Sequence, residues 1–74
     1  MNKLILPDFT EDEREDIIHE ILKQLQFSFG VDDDFLNQAT FDKMKLYAIG
    51  LAVNQVAENR GLRHIHWRIE EDAR

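Results

Sequence analysis

The stretch at residues 46–57 limits most strongly what this chain can fold into. Only Asn54 and Gln55 carry polar side chains there. On a helix, the remaining apolar residues do not keep to one side. Leu46, Ile49 and Val53 point away from the side formed by Met44, Ala48, Leu51 and Ala52. Because a helix that is apolar all round must be buried all round, this stretch predicts a helix at the centre of an assembly.

A chain of 74 residues that forms two helices and a strand is expected to leave one side of this helix uncovered. We therefore predict a homodimer in which the helix packs against its copy. Gly50 costs about 1 kcal/mol relative to alanine in a helix interior, and we expect it to allow close approach of the two helices. The predicted interface residues are Leu46, Ile49, Gly50 and Val53. The alternative is that a short third helix and the C-terminal segment cover this side.

Size and composition exclude several classes of protein. The chain has no cysteine, which excludes a disulfide scaffold and a cysteine-based zinc site. A chain of this length buries only about 60% of its unfolded surface, so residues 1–74 predict a single small acidic domain that gains from oligomerisation. The apolar runs are too short for a signal peptide or a membrane span, so we expect a cytoplasmic protein without a membrane partner.

Two helices are predicted from capping signals and periodicity. Thr10 and Glu13 form a capping-box pattern, and the acidic residues that follow suit the N-terminal end of a helix dipole. The apolar residues after them recur at helical spacing, which predicts an amphipathic helix over about 11–29 that ends at Gly30. A second helix is predicted over about 41–60. The fold class is therefore mainly α, with a two-helix antiparallel core.

The ends of the second helix and the segments around it carry weaker signals. Thr40 is expected to cap this helix and Gly61 to end it. Three consecutive aspartates at 32–34 are expected to cap a short turn over residues 35–37. They do not form an EF-hand, because the required glycine and glutamate positions hold Asn37 and Lys43.

The two ends of the chain are predicted to be short extended segments that pair as strands. In residues 62–69, Ile65, Trp67 and Ile69 alternate with polar side chains, a pattern typical of a half-buried strand. Leu62, Ile65 and Ile69 also fit the spacing of a helix. We favour the strand because β-branched and aromatic residues are dense here, and we expect it to pair with residues 3–6.

Charge is concentrated in the first half of the chain. Residues 1–42 hold three basic and eleven acidic side chains, a net of −8, whereas residues 43–74 hold six basic and four acidic, a net of +2. The acidic half disfavours a phosphate-bearing partner for that surface. We predict a non-enzymatic module that binds a protein partner, as an inhibitor, adaptor or regulator, through an acidic helix face. Its predicted contact residues are Glu11, Asp12, Glu15, Asp16 and Glu20.

The alternative function uses the basic segment at residues 60–68, where arginine can bind phosphate and tryptophan can stack on a base. The residues of this nucleic-acid-binding hypothesis are Arg60, Arg63, Trp67 and Arg68. The overall net charge of −6 disfavours it.

A weaker alternative is a metal-binding protein that uses His64 and His66, which would share one side of a strand. Zinc generally needs a third protein ligand, so two histidines alone do not predict a zinc site.

The sequence contains no phosphate-binding loop, no dinucleotide fingerprint and no nucleophile motif, and its one serine, Ser28, lies within the first predicted helix. We therefore expect neither an enzyme nor a cofactor.

Overall fold

The computed structural model describes residues 3–37 and 42–70 of the chain. The elements follow in the order β1 (Lys3–Ile5), α1 (Glu11–Phe29), a short 3₁₀ turn (Phe35–Asn37), α2 (Lys43–Asn59) and β2 (Arg68–Glu70). The fold is mainly helical, with two helices that pack together and a small two-stranded antiparallel sheet. This confirms the predicted fold class.

Helix α1 has the predicted bounds because its sequence carries both end signals. The Thr10 hydroxyl accepts a hydrogen bond from the Glu13 amide at 3.3 Å, and the Glu13 carboxylate accepts one from the Thr10 amide at 3.0 Å. The helix ends at Gly30, whose φ of 67° lies in the left-handed region that favours glycine. Local chemistry alone is therefore sufficient to predict where α1 begins and ends.

Helix α2 begins later than predicted. Its N-cap is Asp42, whose carboxylate accepts a hydrogen bond from the Lys45 amide at 2.9 Å. The predicted cap, Thr40, lies outside the described residues. At the other end, Gly61 with a φ of 72° donates to the Glu58 carbonyl, and Leu62 donates to the Ala57 carbonyl. This pair of bonds is a Schellman motif, so the predicted stop at Gly61 is confirmed.

The two helices run antiparallel. Arg60, just after the end of α2, contacts Glu20 in α1, whereas Leu51 and Gln55, earlier in α2, line one groove with residues 24, 28 and 29. Residues nearer the C-terminus of α2 therefore contact residues nearer the N-terminus of α1. The predicted antiparallel two-helix core is confirmed.

The sheet is shorter than the pattern of residues 62–69 predicted. Leu4 pairs with Ile69, and only Arg68–Glu70 forms a strand, opposite Lys3–Ile5. The partner strand ends just before Pro7, which has no amide hydrogen to continue a ladder. Residues 62–67 are therefore neither helix nor strand. Their side chains still alternate between buried and exposed positions, because Ile65 is buried whereas His64 and His66 are exposed.

One core cluster joins all the elements, and α2 is central to it. Ile49 and Val53 are each 0% exposed within the single chain. α1 covers one flank of α2, and on the other flank a Cβ on Gly50 would lie 3.6 Å from Cζ2 of Trp67. The buried residues are Leu4, Leu6, Ile17, Ile21, Leu25, Phe35, Leu36, Ala48, Ile49, Ala52, Val53, Val56, Ala57 and Ile65. The prediction that a second copy is needed to cover Ile49 and Val53 is therefore wrong.

Candidate functional site

The acidic residues of α1 lie on its outer side because the opposite side is buried. Ile17, Ile21 and Leu25 face the core with helical spacing, and the acidic residues occupy the other side of the helix. Four of the five predicted contact residues, Glu11, Asp12, Glu15 and Asp16, are exposed, and Glu20 is partly exposed. We call these five residues the acidic face.

The guanidinium of Arg60 lies at one of the two edges of the acidic face. Nε of Arg60 donates to Oε2 of Glu20 at 2.8 Å, and its Nη2 binds the same oxygen. Glu20 is the main reason that the pKa of Arg60 is raised, with smaller contributions from Asp16 and Glu13. Arg60 therefore partly neutralises the edge of the acidic face formed by Asp16 and Glu20, and the neighbouring Glu13.

The other edge, formed by Glu11, Asp12 and Glu15, has weaker compensation. Its ion pair within the described residues joins Glu11 to Arg14 at 3.7 Å, and the Glu11 side chain is 82% exposed. An exposed pair of this kind contributes little and is screened by salt. The strongest uncompensated negative charge on α1 is therefore at Glu11, Asp12 and Glu15.

Glu13 belongs to the helix end rather than to a reactive site. Its pKa is lowered, mainly by the hydrogen bond from the Thr10 amide and then by the one from the Thr10 hydroxyl. The first bond belongs to the capping box, and the hydroxyl is that of the N-cap residue itself. The lowered pKa thus has a structural cause and does not identify Glu13 as a catalytic acid.

Three of the four predicted nucleic-acid-binding residues have contacts within the chain. Arg60 is engaged by Glu20 in α1, and Trp67 is half-buried against the α2 flank at Gly50. Arg68 lies on β2 at 3.7 Å from Glu70, and Arg63 is exposed.

The predicted dimer residues lie mostly inside the chain. Ile49 and Val53 are buried, Leu46 is half-buried, and Gly50 faces Trp67 rather than another helix. The exposed apolar residues of α2 are instead Met44 at 77%, Tyr47 at 67% and Leu51 at 43%. We call these three residues the apolar stripe. The helical spacing placed Met44, Tyr47 and Leu51 on the same side as Ala48 and Ala52, but the structure buries Ala48 and Ala52 and leaves the other three exposed.

A shallow groove of about 270 Å³ lies beside the apolar stripe, between the C-terminal half of α1 and the middle of α2. Its lining residues are Gln24, Ser28, Phe29, Leu51, Ala52 and Gln55. Phe29 is 46% exposed, and Phe27, in the last turn of α1, is 89% exposed. Apolar surface is thus concentrated away from the acidic first turns of α1.

His64 and His66 are side by side, on an irregular segment rather than on the predicted strand. Their Nε2 atoms are 3.1 Å apart, and Nδ1 of His66 lies 2.6 Å from Oδ2 of Asp8. The sequence predicted the histidine pair, but it gave no signal for Asp8, which is 58 positions away from His66 in the chain.

None of the helices in residues 3–37 and 42–70 has the length and apolar character that a membrane crossing requires. Comparisons with models of protein families, with curated proteins and with solved structures found no match to this chain. Its function therefore has to be inferred from the side chains that the fold brings to the surface.

Proposed function

We propose that this chain is a non-enzymatic cytoplasmic module that binds the basic surface of a partner protein through the acidic face of α1, and thereby inhibits, adapts or regulates that partner. One observation carries the proposal. Glu11, Asp12 and Glu15 project from one rigid, well-capped helix, and the basic group that reaches across from α2, Arg60, lies at the opposite edge. A fixed array of like charges attracts a basic surface over a long range.

Complementary charge of this kind acts mainly on the rate of association. Carboxylates on an exposed helix keep much of their hydration, so each adds little to affinity, whereas together they orient the encounter. We expect the partner's association rate to fall as salt is added, with a smaller change in its dissociation rate.

The test compares two variants with equal changes in net charge. One neutralises the free edge, with Glu11→Gln, Asp12→Asn and Glu15→Gln. The matched control neutralises three exposed carboxylates elsewhere, with Asp34→Asn, Glu58→Gln and Glu70→Gln. The partner is first captured from the host lysate with and without nuclease, and its association rate is then measured by surface plasmon resonance at several salt concentrations.

We expect the free-edge variant to associate about tenfold more slowly and the control to change by less than about threefold. Arg60→Ala should have the opposite effect and speed association, because it removes the positive charge that faces the acidic face. Equal slowing in both triple variants, or a rate that is indifferent to salt, would contradict the proposal.

The nucleic-acid alternative gives a different result in the same capture. Binding would depend on nuclease, would weaken steeply with salt, and would be lost with Arg63→Ala plus Arg68→Ala in a gel shift. The packing of Trp67 and the engagement of Arg60 give this alternative less support than the acidic face has.

The homodimer stays a prediction, with a different surface from the one first expected. The apolar residues of α2 that are exposed to a second copy form the apolar stripe, since Ile49 and Val53 lie inside. Light scattering of the full chain gives the mass directly. If a dimer uses the stripe, Tyr47→Lys should convert it to a monomer, whereas Glu58→Lys, on the same exposed side of α2, should not.

A further inference from the structure

The two neighbouring histidines project from the same side of an extended segment. Ile65 between them is buried, and Trp67 after them is half-buried, so the alternation of the backbone turns His64 and His66 outward together. The two anchored side chains hold the segment on the core. The imidazole rings are thus presented in a defined position, with open access from solvent.

The ring nitrogens face a common point. The two Nε2 atoms are 3.1 Å apart, whereas the ring centroids are 4.5 Å apart, at an interplanar angle of 74°. Because the nitrogens are closer than the centroids, each ring directs its Nε2 edge toward the other. At this distance the two Nε2 atoms share one hydrogen in a hydrogen bond, and a metal ion can take the place of that hydrogen between them.

Asp8 determines which nitrogen of His66 is free to bind. Its Oδ2 lies 2.6 Å from Nδ1 of His66, and a carboxylate can only accept a hydrogen bond, so the ring hydrogen resides on Nδ1. In the neutral ring the Nε2 of His66 therefore carries a lone pair, which accepts the hydrogen bond from the Nε2 of His64. A carboxylate on the outer nitrogen of a histidine is the usual support of a metal-ligating imidazole.

Asp8 is itself held in a tight turn. The Phe9 amide donates to the Leu6 carbonyl at 3.3 Å, which closes the turn on both sides of Asp8. Leu6 is 2% exposed and anchors the turn on the core. The three side chains thus come from two anchored segments at opposite ends of the chain, brought together by the pairing of β1 with β2.

The separation of the nitrogens suits a metal ion. With metal–nitrogen bonds of about 2.0–2.1 Å, two nitrogens 3.1 Å apart subtend an angle of about 100° at the ion. This value lies between the right angle of a tetragonal centre and the wider angle of a tetrahedral one. Small rotations of the rings are sufficient to adjust it to either geometry.

We propose that His64 and His66 form an open, two-imidazole site for a divalent transition-metal ion, with Asp8 as a positioning residue. Within residues 3–37 and 42–70 there is no group of three or more histidine, cysteine or acidic side chains arranged to hold a metal, so water completes the coordination. Without metal, Nε2 of His64 donates to Nε2 of His66. When the ion binds, the His64 ring hydrogen passes through solvent from Nε2 to Nδ1, and both Nε2 atoms become ligands. With imidazole ligands and no imposed geometry, Cu²⁺ binds more tightly than Ni²⁺ or Zn²⁺.

The test titrates the full chain with Cu²⁺, Ni²⁺ and Zn²⁺ separately, by calorimetry, and compares four variants. His64→Ala and His66→Ala remove the ligands, and Asp8→Asn removes the carboxylate that supports His66. His19→Ala is the matched control, because His19 is the third histidine and is exposed on α1. Circular dichroism checks that each variant keeps its helices.

We expect one Cu²⁺ per chain in the wild type. Each ligand variant should weaken its binding by more than about tenfold, Asp8→Asn by about tenfold, and His19→Ala by less than about twofold. In NMR spectra, substoichiometric Cu²⁺ should broaden the ring protons of His64 and His66 before those of His19.

Equal weakening by His19→Ala, or Cu²⁺ binding that survives both ligand variants, would overturn the site. Unchanged affinity in Asp8→Asn would overturn the role of Asp8. These measurements need no protein partner, so they stand or fall independently of the function proposed for the acidic face.

Discussion

Helices α1 and α2 have similar lengths, 19 and 17 residues, but the fold uses them differently. α1 buries one narrow stripe, centred on Ile17, Ile21 and Leu25, and turns a charged side to solvent. α2 buries a broader side, with α1 on one flank and the C-terminal segment on the other, and leaves the apolar stripe exposed. α1 is thus suited to long-range electrostatic attraction, whereas α2 contributes more of the stability of the chain.

The largest expected effect is on the free energy of unfolding, and it differs between the buried and the exposed side of α2. Ile49→Ala should lower the free energy of unfolding by about 2–5 kcal/mol, because it opens a cavity at a position with no exposure. Met44→Ala, on the apolar stripe, should change it by less than about 0.5 kcal/mol. Urea denaturation of both variants at low protein concentration measures the difference. Similar losses in the two variants would mean that the stripe is covered in solution.

Glycine-to-alanine changes in the two helices should have opposite signs. Gly50→Ala should raise the free energy of unfolding by about 1 kcal/mol, because alanine favours the helix and its Cβ would meet Trp67 Cζ2 at an ordinary contact distance of 3.6 Å. Gly30→Ala, at the end of α1, should lower it by about 1 kcal/mol, since a φ of 67° strains a side-chain-bearing residue. Thermal or urea denaturation measures both. Destabilisation by Gly50→Ala would show that Trp67 lies closer to α2.

The smallest expected effect is on the stability at acid pH, and it comes from the N-terminal cap of α1. The folded pKa of Glu13 is lowered by its hydrogen bonds with Thr10, so its charge stabilises the fold above the unfolded pKa, and this contribution is lost as the pH falls below about 4. Glu13→Gln keeps the shape of the capping box but removes the charge. Unfolding measured from pH 7 to pH 3 should therefore show a weaker acid dependence in the variant than in the wild type.

Local sequence signals predicted where the helices and turns lie more accurately than they predicted which segments contact each other. The capping box at Thr10 and the glycine at position 30 were sufficient for the bounds of α1, because both act within one helical turn. The same holds for the end of α2 at Gly61 and for the turn at Phe35–Asn37, where the Asp34 amide donates to the Asp32 carboxylate. The prediction for residues 62–69 was only partly right, because strand length also depends on where the partner strand ends.

At the candidate sites too, local sequence patterns did not predict the contacts between distant residues. Periodicity placed the carboxylates on the outer side of α1 but gave no sign that Arg60 pairs with Glu20 across 40 positions of sequence. Spacing predicted that His64 and His66 lie on the same side, but not that Asp8 supports His66. Each missed contact joins distant parts of the chain, and no local preference encodes it.

The sequence by itself determined two capped helices, extended ends and an acidic first half. These follow from hydrogen bonds and periodicities that act over a few residues. Only the tertiary structure decided that one chain covers both flanks of α2, which leaves Met44, Tyr47 and Leu51 exposed instead of Ile49 and Val53. The physical reason is that periodicity tells which side of a helix is apolar, whereas the element that covers that side depends on how the whole chain packs.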